Sequence, residues 1–344
     1  MWLKSDNIAG VDPAIFAAMA QCNVGVAPAY GSDPLSSQLN ASFSDLFGTA
    51  VEVFPVPSGT AANALCLASL AGPFNLIVCH QDAHPLRSES GATTAFSGGA
   101  QFMPVPGEHG RMQARQIAAA LDALQADSYG AMKPSAITLT QLTEAGTAYS
   151  AEQVREIGEL ARARGLLLHM DGARFANAMA AANCSPAEMT WRAGVDVMSF
   201  GATKNGTMYA DAVVFFNPGR AEGFRQRLKR GGLALSKSRF MAAQLLSYVE
   251  SGRWLHNAGR ANAAAQQISA AISALPGAEL LHPVEGNMVF AAIGNSHVEL
   301  LARAGLELRR KGRLSDGRQS FRLVTSFQTD AAEAGRLGDI LGRA

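Results

Sequence analysis

The sequence predicts an α/β protein with a large, mostly parallel sheet domain and a smaller αβ domain at the C-terminus. Two observations lead there. Through the first two thirds of the chain, short β-rich runs alternate with longer helical ones, the rhythm of strands joined by crossover helices. A long helical stretch then separates this series from a second, shorter αβ set. With 344 residues, 48% of them hydrophobic, the chain can bury a sizeable core and is far too apolar for disorder.

The elements follow in order. VEVFPV (51–56) reads as a strand and Thr60–Leu70 as a helix, then NLIVCH (75–80) as a strand. SAITLTQL (135–142) is a strand leading to a helix from Ala151 to Arg164. That helix opens with Ser150 and Gln153 in capping-box spacing and stops at Gly165. LLLHMD (166–171), VDVMSFG (195–201) and AVVFF (212–216) are further strands. From about Ala221 to Leu275 the pattern is helical, with a break near Gly252. NMVFAAI (287–293), a helix near His297–Ala304, the strand SFRLVTS (320–326) and a last helix from Asp330 complete the chain. This divides into an N-terminal arm and large domain over 1–255 and a small domain over 256–344.

Charge narrows the function classes. Lys and Arg number 29 against 28 Asp and Glu, and charged residues make up 17%, below the roughly 25% usual for soluble proteins. No basic field is available for nucleic acid or an anionic membrane. A low-charge, Ala- and Gly-rich chain of this size suits an oligomer. Cys22, Cys66, Cys79 and Cys184 lie far apart, with neither zinc nor redox spacing. The apolar stretch Ala61–Cys79 is interrupted by Gly72-Pro73, and the N-terminus carries Asp6, Asp12 and Pro13. The expectation is a soluble, cytoplasmic protein without a metal.

Three places carry chemistry. Ser58-Gly59-Thr60 lies between a strand and a helix, where free N–H groups and hydroxyls form an anion cradle; an ordinary N-cap would look the same. Asp171, in Asp171-Gly172-Ala173-Arg174, follows the apolar run LLLH, at a strand end facing the crevice where open α/β sheets bind ligands; it could equally cap the next helix. Lys204, in SFGATKNG, also follows a strand, among small residues that leave room for a planar ligand, although a lysine there is often only a solvated loop residue. A partly desolvated lysine amine loses its proton readily and can form a Schiff base. A phosphate cradle, a strand-end Asp and a Lys thirty-three residues later, in this order, match the needs of pyridoxal 5'-phosphate: an anion site, a partner for the pyridine nitrogen and an amine for the aldehyde.

With these residues in view, the chain resembles the threonine aldolases, within the β-eliminating lyase group of fold-type-I pyridoxal phosphate enzymes. The resemblance runs almost end to end, through SDNIAG (5–10), AYGSDP (29–34), PSGTAAN (57–63), AHPLRSESGA (83–92), LLLHMDGARFANA (166–178), SFGATKNG (199–206) and FRLVTSF (321–327). The lysine segment is most similar to the low-specificity bacterial L-threonine aldolases. The resemblance implies reversible cleavage of L-threonine, L-allo-threonine and related β-hydroxy-α-amino acids to glycine and an aldehyde, in a homodimer or homotetramer with shared active sites. Other reactions on the same cofactor, β-elimination or transamination, and a non-catalytic cofactor-binding protein are the rivals.

Residue by residue, the resemblance implies that Lys204 bonds the cofactor and that Ser58, Gly59 and Thr60 bind its phosphate. Asp171 pairs with the pyridine nitrogen, and Arg174 lies near the ring hydroxyl. His84 stacks on the ring close to the substrate hydroxyl. Ser5 and Arg322 hold the substrate carboxylate; on strand alternation alone Arg322 reads as a solvated edge residue. Tyr30 and Asp33 belong to a segment bordering a neighbouring subunit's site. Two departures stand out. Glu144 occupies the place where many members carry a His, which leaves the catalytic base open. No single residue matches the phosphate-binding Arg, for which Lys237 and Arg239 are both candidates. His80 and His84 have metal-ligand spacing for a helix, but a strand ending at His80 and Pro85 after His84 keep them off one helical face.

Overall fold

The computed structural model describes residues 2–124, 131–303, 305, 309–330, 332, 334–336 and 340. Seven strands form the large sheet: β1 (Glu52–Val56), β2 (Asn75–His80), β3 (Gln101–Val105), β4 (Lys133–Thr140), β5 (Leu167–Gly172), β6 (Val197–Phe200) and β7 (Asp211–Phe215). Their order is β1-β7-β6-β5-β4-β2-β3, and β7 alone runs against the other six. The sheet is therefore mostly parallel, as the alternation predicts. β6 and β7 are buried at every position, which is why they read as unbroken apolar runs.

The helix Gly59–Leu70 packs on one face of this sheet and is buried on nearly all sides. The other face is covered by the helices Pro34–Phe47, Ala151–Ala163 and Arg239–Glu250, which share one core with Phe175 and Phe200. Ser150 and Gln153 form the expected capping box.

A second, antiparallel sheet has the order β10-β11-β9-β8, from β8 (Glu279–Leu280), β9 (Met288–Ile293), β10 (Arg309–Arg313) and β11 (Gln319–Val324). It packs on the helix Arg253–Ser273 through Ile268, Val289 and Phe321. The N-terminal arm joins this core: Leu3 is fully buried there, and its carbonyl accepts from Val324 N at 2.8 Å. That anchorage carries Ser5 and Asp6 to the edge of the large sheet.

The helical run after Ala221 divides into three α-helices, Phe224–Arg230, Arg239–Glu250 and Arg253–Ser273. Gly252, at φ +70°, makes the expected break. A second break, at residues 231–238, begins with Gly231-Gly232, where Gly232 has φ +70°. Two strands escape the hydrophobic pattern. β3 contains Pro104, tolerable because it is an edge strand, and β10 is exposed at all five positions. The strand read to Leu142 stops at Thr140. The last helix from Asp330 falls largely outside the described residues. Among the described residues, no helix is long and apolar enough to cross a membrane.

Candidate active site

The carboxyl ends of the parallel strands open onto a cavity of about 440 Å³, lined by residues that follow β1, β2, β4, β5 and β6. Ligands bind at this edge of open α/β sheets. A roomier cavity of about 760 Å³ lies elsewhere, among Ala178, Gly259, Glu285 and their neighbours, and contains none of the candidate residues.

Ser58 caps the helix Gly59–Leu70, its Oγ accepting from Ala61 N at 3.2 Å. The N–H groups of Gly59 and Thr60, in the first turn, have no intrahelical acceptor, and the helix dipole favours an anion there. Asp171, 1% exposed, lines the same cavity. Its Oδ2 accepts from Asn63 Nδ2 at 2.9 Å and its Oδ1 from Ala173 N at 3.0 Å. Beneath it on the same face of β5, His169 is held between Thr138 Oγ1 at 2.8 Å and Ser199 Oγ at 3.1 Å. Burial pushes the His169 pKa down to about 4, so a neutral ring supports Asp171.

Lys204 lies in the short turn Thr203–Asn205 after β6. The turn is pinned by Asp211 Oδ1, which accepts from Ala202 N at 2.7 Å and Thr203 N at 2.9 Å, and by Asn205 Nδ2, which donates to Tyr248 OH and the Trp254 carbonyl. Gly201 permits the chain to pass β5: a Cβ there would lie 2.4 Å from the Ala173 carbonyl oxygen.

Arg174 forms a two-pronged ion pair with Asp6, Nε to Oδ2 at 2.7 Å and Nη2 to Oδ1 at 3.0 Å. Burial alone would raise the Asp6 pKa, but the guanidinium outweighs it and holds the carboxyl below its usual range. Among the described residues, Arg322, on β11, has no such partner. Its Nη2 donates weakly to the Lys4 carbonyl at 3.3 Å, while its Nε is buried without a partner. Burial, followed by the Arg174 and Arg309 charges, lowers its pKa to about 10. An under-paired guanidinium on a cavity wall invites a carboxylate.

His84 opens the short helix His84–Arg87. Its Nδ1 is 2.8 Å from Glu89 Oε1, and its backbone N donates to Glu144 Oε1 at 2.9 Å. Glu144 is half-buried, and its partial withdrawal from water, with repulsion from Asp171, lifts its pKa to about 7. An acid whose folded pKa is raised binds a proton more tightly folded than unfolded, so stability falls as pH rises from about 4.5 to about 7. Glu144→Gln is expected to lessen this slope, with up to roughly 3 kcal/mol at stake for a shift of this size. Denaturant unfolding between pH 5 and 8 reads it, and an unaltered slope would assign the pH dependence to another group.

Over residues 3–295 the chain matches the family described as beta-eliminating lyase. The chain belongs to that family. A low specificity L-threonine aldolase from Pseudomonas sp. (strain NCIMB 10558) is 40% identical over 301 residues, 88% of this chain and 86% of that protein. A solved threonine aldolase from Leishmania major superposes with a TM-score of 0.93 at 24% identity, covering 99% of this chain and 98% of that one. A serine palmitoyltransferase from Sphingomonas wittichii reaches 0.73 at 16% identity, over 100% and 86% of the two chains. The fold is that of the fold-type-I pyridoxal phosphate enzymes.

Ser5, Ser58, Gly59, Thr60, His84, Glu144, Asp171, Arg174, Lys204 and Arg322 all line the one cavity. Ser5 also caps the turn Asp6–Ile8, accepting from Asn7 N at 3.2 Å. Other expected residues stand apart. Tyr30 is exposed beneath the Lys229 ammonium, 4.2 Å from its ring, and Asp33 caps the helix Pro34–Phe47. Neither Lys237 nor Arg239 lines the cavity of this chain, and the Arg239 guanidinium reaches the Gly25 carbonyl instead. His80 closes β2 and bonds the Gly107 carbonyl at 3.0 Å, on a different element from His84. Asp6, Asn63, Glu89, Asp211 and Arg309 are site residues that sequence reading passed over. Asp6, Asn63 and Glu89 sat within quoted motifs, which was the one available signal; nothing in the sequence pointed to the pairing of Asp6 with Arg174.

Proposed function

We propose that the protein is a pyridoxal-phosphate-dependent aldolase. It cleaves L-threonine, L-allo-threonine and related β-hydroxy-α-amino acids reversibly to glycine and an aldehyde. The observation that carries this reading is the meeting of an anion-binding helix end, a buried carboxylate, a lysine and an under-paired arginine in one cavity. The residues fit the cofactor: Asn63 Oδ1 is a buried polar atom without a partner on this cavity's wall, and nothing crowds Gly59, whose nearest neighbour to an added Cβ is 4.0 Å away. When bound, pyridoxal phosphate supplies an electron-accepting ring for the electron pair of the Cα–Cβ bond.

The chain's own residues do the rest. Gly59 and Thr60 N–H groups hold the phosphate with Ser58, and Lys204 supplies the primary amine that fastens the aldehyde. Asp171 would pair with the pyridine nitrogen and favour its protonated form, and its fixed bonds to Asn63 and Ala173 already hold the carboxylate in place. Arg174, anchored by Asp6, borders the ring. Arg322 and Ser5 grip the substrate carboxylate and so orient the bond that breaks. His84 would lie against the ring and take the hydroxyl proton, with Glu144 alongside to recognise the hydroxyl. Products decide the reaction class: glycine plus aldehyde from threonine or phenylserine supports the proposal, whereas ammonia plus keto acid, or no turnover, refutes it.

We extend the reading to a cytoplasmic homodimer or homotetramer in threonine catabolism, with an arm and cofactor-binding domain over 1–255 and a small domain over 256–344. Support for a second copy comes from the exposed Phe16, Val24, Val26 and Tyr30 near the N-terminal arm, and from a phosphate cradle that no basic side chain of Lys237 or Arg239 reaches. The four cysteines are free, which suits a reducing compartment.

A further inference from the structure

Glu89 is buried beside the one imidazole on the cavity wall. Its side chain has no exposure, whereas that of His84 is 44% exposed. Glu89 Oε1 lies 2.8 Å from His84 Nδ1 and also accepts from Asn63 Nδ2 at 2.9 Å. The same amide nitrogen donates to Asp171 Oδ2 at 2.9 Å. One amide therefore spends its two hydrogens on two carboxylates, and both oxygens must be acceptors. With Oε1 already receiving one hydrogen bond, the simplest complement from the imidazole is an N–H at Nδ1.

We infer that Glu89, held in place by Asn63, is a positioning residue that fixes His84 as its Nδ1–H tautomer and leaves Nε2 as the lone-pair nitrogen for the cavity. The catalytic consequence rests on the aldolase reading; the tautomer does not. In this state Nε2 accepts one proton from a substrate hydroxyl. The resulting imidazolium is balanced by Glu89, and the proton leaves to water on the exposed side of the ring. The hydrogen bond that His84 donates to Glu89 raises the His84 pKa; burial opposes it, Asp171 reinforces it, and Lys204 lowers it. Glu144, bonded to the backbone N of His84, is the remaining ionisable group facing it. The Glu89 carboxyl is itself pushed up by burial, which the His84 and Asn63 hydrogen bonds oppose. We assign the shared proton to the imidazole, because Asn63 also donates to the same oxygen.

The test is nitrogen-15 NMR of histidine-labelled, full-length protein loaded with pyridoxal phosphate, with His84→Gln to assign the resonances. Above the His84 midpoint, a protonated Nδ1 and a bare Nε2 are expected; an Nε2–H tautomer would overturn the inference. This readout stands even if threonine is not cleaved, so it separates the two proposals. Glu89→Gln keeps an acceptor oxygen but removes the charge. It should lower the His84 midpoint by roughly one unit, and shift the acidic limb of kcat/KM down by the same amount. Activity above that limb should also fall, and the fall should appear in kcat, with KM little changed. A folded Glu89→Gln protein with an unmoved His84 midpoint would make Glu89 a packing residue only. If that variant does not fold, the wild-type tautomer still decides.

Discussion

Asp171→Asn is expected to fold and bind pyridoxal phosphate while losing roughly 10²-fold or more in kcat, an electrostatic effect of several kcal/mol. Asn matches the shape and can still accept from Asn63 or Ala173 N, but it brings no charge to hold a proton on the pyridine nitrogen. At 1% exposure, water cannot substitute for that charge. His169 cannot substitute either, since it is neutral and hydrogen-bonded through both nitrogens. Steady-state kinetics beside a visible absorption spectrum reads both halves. Near-normal turnover would remove Asp171 from the ring nitrogen.

Arg322→Lys is expected to keep the cofactor's absorption but to lose about 2–5 kcal/mol in kcat/KM, the range for breaking a buried charged pair. Lys retains the charge and loses the planar fork that grips a carboxylate through two parallel bonds. Arg322→Ala should lose more. Threonine, allo-threonine and phenylserine should suffer alike, because all carry the same carboxylate. If one substrate is slowed and another spared, Arg322 reads the side chain. Arg309, which also lines the cavity, then becomes the carboxylate residue.

Much of this architecture is written locally. β5, β6 and β7 are nearly or wholly buried, so they appear in sequence as short apolar runs, and the residues after them fall at the ligand-binding edge without further information. The capping box at Ser150 and the glycine stop at Gly252 are equally local. What sequence does not carry is the pairing of distant groups. Asp6 meets Arg174 across 168 residues, and Asn63 meets Asp171 across 108. Arg322 reads as an edge residue by alternation, yet β11 is an inner strand of its sheet and the residue is half-buried on the cavity wall. The family resemblance supplied its direction. The same resemblance also suggested Tyr30, Lys237 and Arg239, which lie outside the cavity of their own chain. β3 and β10 escaped because an edge strand can carry Pro104 and an exposed one needs no apolar alternation.

The central claim is that Lys204 is the residue to which pyridoxal phosphate is joined. Borohydride reduction of the loaded protein, followed by proteolysis and peptide mass mapping, tests it most directly. The account predicts a visible absorption band that reduction abolishes, with the cofactor's mass left on the peptide containing Lys204, and neither band nor mark in Lys204→Ala. A protein that stays colourless in excess cofactor, or a mark on any other lysine, would contradict it.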